Sequence, residues 1–450
     1  MHHNNSSCTH ERGISRAIVE QISSYKNEPE WMRVWRLAAY DAFLSAPMPT
    51  WGVDLSSLDL SQICFYCKPF DTQVRSWDDV PSYIKDTFDK LGIPQAEQQT
   101  LAGVSAQFES EIIYKNLKAS WESQGVIFCS LDEAVANYSE IVRQYIGSIV
   151  PINDNKFASL NSAVWSGGSF IYVPKGVSIE LPIQAYFRMH AERMGQFERT
   201  LIIADQGCSL HYLEGCSAPL YSTQSLHSAV VEIIVFDKAH VRYTTIQNWS
   251  KNVYNLVTKR AFVHANAHIE WIDGNFGSCA TMKYPCMILH GDQAKGFMMS
   301  LAVAGCNQHQ HTGGKVIHRG TNTCAAIVSK ALCSSGGIAA YAGSIIVEPS
   351  AYGARAHIQC DTLMLDESSR STSCPSINVG NPDAEVGHEA SVSSFDQHQL
   401  FYLASRGIGS SVARALLING FVGSFVQELP MEYAIELNRL IMLEMDQSIG

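Results

Sequence analysis

Two of the thirteen cysteines stand in polar, sharply turned stretches, where a thiol could be reactive. Cys216 follows a glutamate and a glycine, and Cys360 lies between Gln359 and Asp361. A thiolate can attack another sulfur atom or bind a metal ion, provided that its surroundings favour the ionised form. Free cysteine is also among the most often buried residue types, so an inert turn thiol is the alternative interpretation of each.

A histidine followed directly by a glutamate, His388 and Glu389, adds two further groups that can bind metal. Thiolate, imidazole and carboxylate together are the ligand types that hold iron or zinc. An isolated His–Glu pair is more often a hydrogen-bonded surface or cap feature. His309 and His311 could also bind a metal, although histidines on a strand surface are the more common case.

Signatures of the common nucleotide-binding and hydrolytic enzymes are absent from the sequence. Gly313, Gly314 and Lys315 are followed by Val316, and no upstream glycine completes a phosphate-binding loop. The hydrolase, zincin and dinucleotide-binding patterns do not occur in a suitable context either. We therefore predict a protein that is not an enzyme with its own nucleotide pocket, and any ATP-driven step is assigned to a partner.

The overall composition restricts the class of protein further. The 450 residues carry a formal charge of -11, which argues against binding to nucleic acid, and no basic run suggests a membrane surface. No apolar stretch reaches bilayer length and no export signal precedes the first apolar residues, so the sequence predicts a cytoplasmic protein. An odd number of cysteines in that setting predicts mostly reduced thiols. The lone C-x-x-C at 64–67 is interpreted as incidental burial and not as a redox or metal site.

The pattern of apolar residues divides the chain into three parts. Residues 1–160 are predicted to be mainly helical, with one helix broken by Pro47 and another over 131–146 that has a capping box at Ser130 and Glu133. Residues 161–385 show short alternating runs without long amphipathic helices, which predicts an all-β body. A sandwich, a barrel and a β-helix all remain possible from this pattern.

Helical periodicity returns in residues 386–450. One helix is predicted to begin after Ser411 and to end at Asn419 and Gly420. A second is predicted from Pro430, with an apolar stripe beside an acidic face. That stripe could pack on the body or bind a partner, and packing alone is the more common case.

Taken in order, many short stretches resemble the SufB-type subunit of the Suf iron–sulfur cluster assembly complex, in the SufB/SufD family. Among them are Glu214-Gly215-Cys216 and Gln359-Cys360-Asp361. The matching stretches are 24–31, 170–176, 186–188, 195–201, 212–216, 247–249, 255–260, 283–285, 359–361, 388–390, 396–397 and 429–432. They cover nearly the whole chain, which makes the resemblance far more specific than any one motif.

The resemblance implies a mainly β fold, with a right-handed parallel β-helix core flanked by N-terminal and C-terminal helical regions. It also implies a complex with a SufD-type paralogue, or a homodimer, and with a SufC-type ABC ATPase bound to the C-terminal helical region. Sulfur would come from a cysteine desulfurase with its sulfur-transfer protein. The cargo would be a transient iron–sulfur cluster, and the complex can carry a reduced flavin.

Residue roles follow from the same resemblance. Cys216 would accept sulfur as a persulfide. The positions that would line an interior route from it are Arg188, Gln247, Trp249 and Lys259. The positions that would assemble the cluster are Cys360, His388 and Glu389. One thiolate with weaker nitrogen and oxygen ligands would allow a new cluster to leave.

The sequence departs from the family pattern in front of the His–Glu pair. The usual acidic residue is Gly387 here, with Glu385 two positions earlier as a substitute ligand. Three alternatives to the main hypothesis remain. They are a SufD-like partner subunit that accepts no sulfur, a structural adaptor for an ABC ATPase, and a β-helix carbohydrate-active enzyme, for which an acid pair is not evident.

Overall fold

Strands dominate the computed structural model, which describes residues 12–67, 101–108, 110–189, 194–218 and 224–430 and the single positions 433, 434, 437, 439 and 441. The helices are Arg16–Tyr25, Glu30–Ser45, Ala119–Glu122, Leu131–Asn137, Ser139–Tyr145, Lys156–Val164, Gln397–Ser405 and Ser410–Val426, with a short 3-10 turn at Leu60–Gln62. None of the described helices is both long enough and apolar enough to cross a bilayer.

The described strands are numbered in chain order. They are β1 Gly103–Phe108, β2 Glu111–Leu117, β3 Ile127–Ser130, β4 Ser169–Val173, β5 Ile183–Arg188, β6 Gly195–Gln196, β7 Arg199–Ala204, β8 Ser209–Ser217, β9 Ser225–His227, β10 Val230–Val235, β11 His240–Asn248, β12 Val253–Val263, β13 His268–Phe276, β14 Ala280–Lys283, β15 Cys286–Leu289, β16 Lys295–Ala304, β17 His309–His318, β18 Cys324–Cys333, β19 Ile338–Val347, β20 Arg355–Met364, β21 Arg370–Ser373, β22 Ser376–Val379 and β23 Glu385–Ser394.

These strands form two long sheets that face each other across one interior. In the described residues the first sheet has ten strands, in the order β2-β1-β5-β8-β11-β13-β16-β18-β20-β23. The second has thirteen strands and runs from β3 and β4 through β12 and β17 to β21 and β22. All pairs from β4 and β5 onward are parallel, and the chain alternates between the sheets. The predicted fold class is confirmed as mainly β, a parallel β-helix between helical regions.

One corner of the β-helix repeats a residue in the left-handed backbone region. The corner positions are Gly176, Gly207, Lys238, Asn266, Gln293, Asn322 and Gly353. The first six donate their backbone N–H to a carbonyl one turn further on, as Asn266 does to Asp292 at 2.8 Å. These residues recur every 27 to 31 positions, which is the length of one turn. The sequence pattern missed this period because four different residue types occupy the corner.

Local helix signals were partly confirmed. The Ser130 hydroxyl caps its helix by accepting the Glu133 N–H at 3.0 Å. The helix predicted over 131–146 forms as two shorter helices, because Tyr138 between them adopts a non-helical backbone. Three strands, β1 to β3, also lie within the stretch that was predicted to be mainly helical.

The predicted helix end at Asn419 and Gly420 is wrong, since Ser410–Val426 is continuous. Glycine in a helix interior costs about 1 kcal/mol relative to alanine. Burial of apolar side chains on both sides of Gly420 outweighs that cost. Ile418, Val422 and Phe425 pack with Ile272 on the outer face of the ten-stranded sheet. Of the second predicted helix, from Pro430, most residues lie outside the described part.

Candidate functional site: the polar interior of the β-helix

The interior of this β-helix holds a row of polar side chains on the inner face of the ten-stranded sheet. Successive side chains of a strand point to opposite faces, so residues paired in register on neighbouring strands stack on the same face. The register aligns Glu214, Thr245, Asp273, Ser300, Ser329 and Cys360, from β8 to β20. All six are buried. With strands about 4.8 Å apart, the row is roughly 24 Å long.

Cys216 lies two residues beyond Glu214 on β8 and therefore faces the same interior. Its Sγ is 3.7 Å from Glu214 Oε1, and only 3% of the residue is exposed. Burial raises the pKa of Cys216 well above its ordinary value, and the Glu214 and Glu198 carboxylates raise it further. Lys259 and Lys283 act in the opposite direction. The thiol is therefore protonated at neutral pH in this closed arrangement.

A series of hydrogen bonds between buried side chains surrounds Cys216 and extends to the next turn of the β-helix. His227 Nε2 contacts Glu198 Oε1, and His227 Nδ1 lies 2.7 Å from Asn255 Oδ1. Asn255 Nδ2 donates to Gln247 Oε1 at 2.8 Å, and Gln247 is the register partner of Cys216. These hydrogen bonds fix the orientation of the His227 ring beside the Cys216 thiol.

Trp249 forms one wall of this cluster. It is buried, and its ring lies 4.4 Å from the His227 ring, centroid to centroid. The adjacent aromatic rings exclude water, which strengthens electrostatic interactions inside the cluster.

Two lysines share a single aspartate in the middle of the interior. The Nζ atoms of Lys259 and Lys283 lie 3.4 and 3.0 Å from Asp273 Oδ1. Burial would raise the pKa of Asp273, but the two ammonium groups lower it below its ordinary value. Burial lowers the pKa of Lys283 to about 8. The interior thus carries positive charge between the two candidate cysteines.

Arg188 is placed differently from the other residues predicted for an interior route. Its Nη1 donates to Ser217 Oγ at 3.0 Å, and Arg188 is the register partner of Ser217. Arg188 directly follows the inward-facing Phe187, and Ser217 directly follows the inward-facing Cys216. The side chains of Arg188 and Ser217 therefore lie on the outer face of the sheet. The structure brings Cys216, Gln247, Trp249 and Lys259 together and leaves Arg188 beside them on the other side of the sheet.

Cys360 lies near the last turn of the β-helix. Its Sγ is 3.9 Å from His388 Nε2, across the pair of β20 and β23. Burial raises the pKa of Cys360 to about 12, and the Ser373 hydroxyl lowers it only in part. A cavity of about 20 Å³, lined in part by Ser329 and Tyr341, adjoins the thiol. This volume holds about one small atom or water.

Glu389 does not join Cys360 and His388 within this chain. It follows His388 on β23, so its side chain points to the opposite face, and the residue is exposed. Gly387, where an acidic residue is usual, is also on that face. The chain therefore supplies one thiol and one imidazole at this position, and other ligands would have to come from elsewhere.

Sequence reasoning missed several groups of the interior cluster. They are Glu198, Glu214, His227, Asp273 and Lys283, all of them buried. A signal was present, since each is a charged or titratable residue at an inward position of an otherwise apolar strand or its edge. Recognising that signal requires the strand register, which links residues about 30 positions apart.

Surface histidines form two further groups. His311 Nδ1 lies 2.7 Å from the Tyr284 hydroxyl, near the His309 ring. His240, His268 and Glu270 place one possible ligand atom each within 4.8 Å of the others, and the Glu270 carboxylate also pairs with Arg242 at 2.9 Å.

The fold and the site together define a parallel β-helix protein with a buried row of polar side chains, which adjoins the two candidate cysteines Cys216 and Cys360. Residues 187–421 match the family model described as SUF system FeS cluster assembly, SufBD core domain, and residues 22–185 match the SufBD protein N-terminal region. The chain belongs to the SufBD family of iron–sulfur cluster assembly proteins.

Curated relatives of similar length agree with this assignment. The chain is 56% identical over 440 residues to an iron-sulfur cluster assembly SufBD family protein of Staphylococcus epidermidis, covering 98% of this chain and 95% of the relative. A protein with the same description from Staphylococcus aureus strain MRSA252 is also 56% identical, with the same coverage of both chains.

Proposed function

We propose that this chain is the sulfur-accepting scaffold subunit of its assembly system, loading sulfur on Cys216 and building a cluster at Cys360. The observation that carries the proposal is the buried polar row from Glu214 to Cys360, which connects the surroundings of the two thiols. An interior that served only for stability would be filled by apolar side chains, since buried polar groups are costly. The SufD-like alternative does not need an acceptor thiol.

Sulfur loading is proposed to occur by thiol–persulfide exchange. The Cys216 thiolate attacks the outer sulfur of a donor persulfide, the donor S–S bond breaks, and the donor leaves as a thiolate that takes up the proton. Because the pKa of Cys216 is raised when the site is closed, the attack requires an arrangement in which the ammonium groups of Lys259 and Lys283 act more strongly on the sulfur.

Transfer toward Cys360 is proposed to follow the polar row. Lys283 Nζ contacts Thr245 Oγ1 at 3.4 Å and Asn275 Oδ1 at 3.1 Å, and Ser300 and Ser329 are hydrogen-bonded at 3.2 Å. Cationic and hydroxyl groups stabilise sulfur anions in a low-dielectric interior. Conversion of persulfide sulfur to sulfide takes two electrons, which an external reductant such as a reduced flavin would supply. We assign no flavin site to this chain.

Partner binding is proposed at two exposed surfaces. In the described residues, β22 and β23 are the last strands of their sheets and are largely exposed, so a SufD-type paralogue or a second copy could extend the sheets there and add ligands. The C-terminal helices expose Phe401, Tyr402 and Val412, which would bind a SufC-type ATPase. We assign catalysis to that ATPase and to a cysteine desulfurase with its sulfur-transfer protein, all acting in the cytoplasm.

The test is sulfur loading followed by cluster reconstitution. The full-length chain is treated anaerobically with a persulfide donor, and the Cys216 peptide is examined by mass spectrometry for one added sulfur atom. Iron and a reductant are then added, and charge-transfer absorption is recorded. Cys216→Ser should lose the added sulfur, while Cys360→Ser should keep it and lose the absorption.

Cys208→Ser is the matched control, because Cys208 is a buried thiol immediately before the same strand and is outside the polar row. It should retain both signals. If Cys216→Ser forms as much cluster from the persulfide donor as the unmodified chain, the structural adaptor becomes the better interpretation.

A further inference from the structure

We propose that Cys216, His227 and Glu198 form a binding site for one divalent transition-metal ion of the Zn²⁺ class inside the β-helix. One thiolate, one imidazole nitrogen and one carboxylate oxygen would bind the ion, with a water molecule as the fourth ligand. This ligand set is typical of tetrahedral zinc. The site is separate from the Cys360 and His388 pair, and the binding of metal here does not depend on the proposed scaffold function.

The geometry of the three groups is close to that of a metal site. Their ligand atoms all lie within 4.8 Å of one another, and all three residues are buried. In a tetrahedral zinc site with bonds of 2.0–2.3 Å the ligand atoms are roughly 3.5 Å apart. Side-chain movements of about 1 Å would therefore complete the site, without any change in the strands.

The hydrogen bonds around His227 leave the correct nitrogen available. Asn255 Nδ2 donates a hydrogen bond to Gln247 Oε1, so Asn255 Oδ1 faces His227 Nδ1 and accepts a hydrogen bond from its N–H. His227 Nε2 faces Glu198 and Cys216, and it offers its lone pair to an ion once the proton shared with Glu198 leaves. Metal-ligating histidines typically donate their other ring N–H to such a partner, which fixes the tautomer and raises the basicity of the ligand nitrogen.

One carboxylate oxygen of Glu198 is also available to a bound cation. Two buried ammonium groups, on Lys259 and Lys283, lie in the same interior. Both ammonium groups pair with Asp273. Glu198 Oε2 is buried and has no hydrogen-bond partner among the described residues. A buried polar atom without a partner is costly, and a bound divalent cation would remove that cost.

The ligand types select the class of ion. Mg²⁺ and Ca²⁺ prefer sets of oxygen ligands, whereas a thiolate with imidazole suits Zn²⁺, Co²⁺ and Fe²⁺. Binding would release the thiol proton and the proton shared by His227 and Glu198. If Cys216 is also the sulfur acceptor, which rests on the proposed function, a bound metal and a persulfide exclude each other, and the metal would hold the thiol unreactive.

Co²⁺ is the probe, because a cobalt–thiolate bond gives a near-ultraviolet charge-transfer band that ligation by nitrogen and oxygen alone does not. The metal-free, full-length Cys360→Ser chain is titrated with Co²⁺, so that the second cysteine–histidine pair cannot contribute. We expect one equivalent to bind with this band, and Zn²⁺ to displace it. Adding Cys216→Ser should abolish the band, and adding His227→Gln should weaken binding at least tenfold.

Glu270→Gln is the matched control in the same background, since it removes the carboxylate of the surface histidine cluster and should leave the band intact. A second measurement uses the unmodified chain, in which Zn²⁺ should slow alkylation of Cys216 at least tenfold and leave exposed Cys374 unaffected. The proposal is overturned if cobalt binds without the charge-transfer band, if the band survives Cys216→Ser, or if Zn²⁺ does not protect Cys216. Loss of metal binding with intact sulfur loading would refute this site alone.

Discussion

Glu214 and Cys360 lie in the same inward-facing row of the ten-stranded sheet, five strands apart. The side chains between them are Thr245, Asp273, Ser300 and Ser329. Only Asp273 in this middle stretch is charged, and it is held by two lysines. The remaining three positions carry small hydroxyl side chains, which leave more space than the valines and isoleucines usual in parallel strands.

Filling the middle of this row should separate sulfur loading from cluster formation. Ser329→Leu adds apolar volume directly before Cys360, at a cost of about 1–3 kcal/mol in stability from overpacking. We expect persulfide on Cys216 at the level of the unmodified chain and at least a tenfold loss of cluster formed from it. Ser329→Ala removes the hydroxyl without filling space and is the control. Equal cluster yields in the two variants would show that sulfur does not pass this position.

The alkylation rate of Cys216 should depend on pH in an unusual way. Its pKa is raised well above the ordinary value, so the thiolate fraction should keep rising about tenfold per pH unit above pH 9, where an ordinary thiol levels off. Glu214→Gln removes a negative charge 3.7 Å from the sulfur and should lower the pKa and increase the rate severalfold. Iodoacetamide labelling followed by mass spectrometry measures both.

The opposite result has a clear meaning. If the Cys216 rate levels off near pH 9, alkylation proceeds from an opened state in which the thiol has an ordinary pKa. The closed arrangement would then not control reactivity.

His388 should matter more than Glu389 for iron binding by the isolated chain. His388 Nε2 is 3.9 Å from Cys360 Sγ, whereas Glu389 is on the exposed, opposite face of β23. With iron and sulfide supplied directly, His388→Ala should lower the charge-transfer absorption at least severalfold, and Glu389→Ala should leave it within experimental error. A large loss in Glu389→Ala alone would mean that β23 changes its register or orientation when iron binds.

The buried ion pair of Arg199 and Glu232 should dominate the attachment of the N-terminal region. The pair is 2.6 Å apart with both side chains fully buried, and Glu232 also accepts the backbone N–H groups of Gly147, Ile149 and Val150. Glu232→Gln leaves the guanidinium without a counter-charge and should destabilise the fold by about 3–5 kcal/mol.

Urea unfolding followed by circular dichroism measures this loss. Glu348→Gln is the control, since Glu348 pairs with Arg319 at the surface, where such pairs contribute about 0–1 kcal/mol. Similar effects of the two substitutions would show that the buried pair is not needed for stability.

The residue types along the chain were enough to predict an all-β body between helical ends, because the period of apolar residues is a local property. The resemblance carried by short stretches then selected the β-helix and singled out Cys216 and Cys360. The ends of the helices were predicted less accurately than the type of each region. Gly420 is a typical stop signal, yet packing of Ile418 and Val422 on the sheet kept the helix continuous.

The surroundings of the cysteines depended on the stacking of turns. His227 and Glu198 are 29 residues apart, and Gln247 and its register partner Cys216 are 31 residues apart. No local sequence pattern links such positions. Alternation along β23 likewise separated Glu389 from His388, although they are adjacent in sequence. Strand register sets which side chains share the interior, and register arises from hydrogen bonds between turns about 30 residues apart.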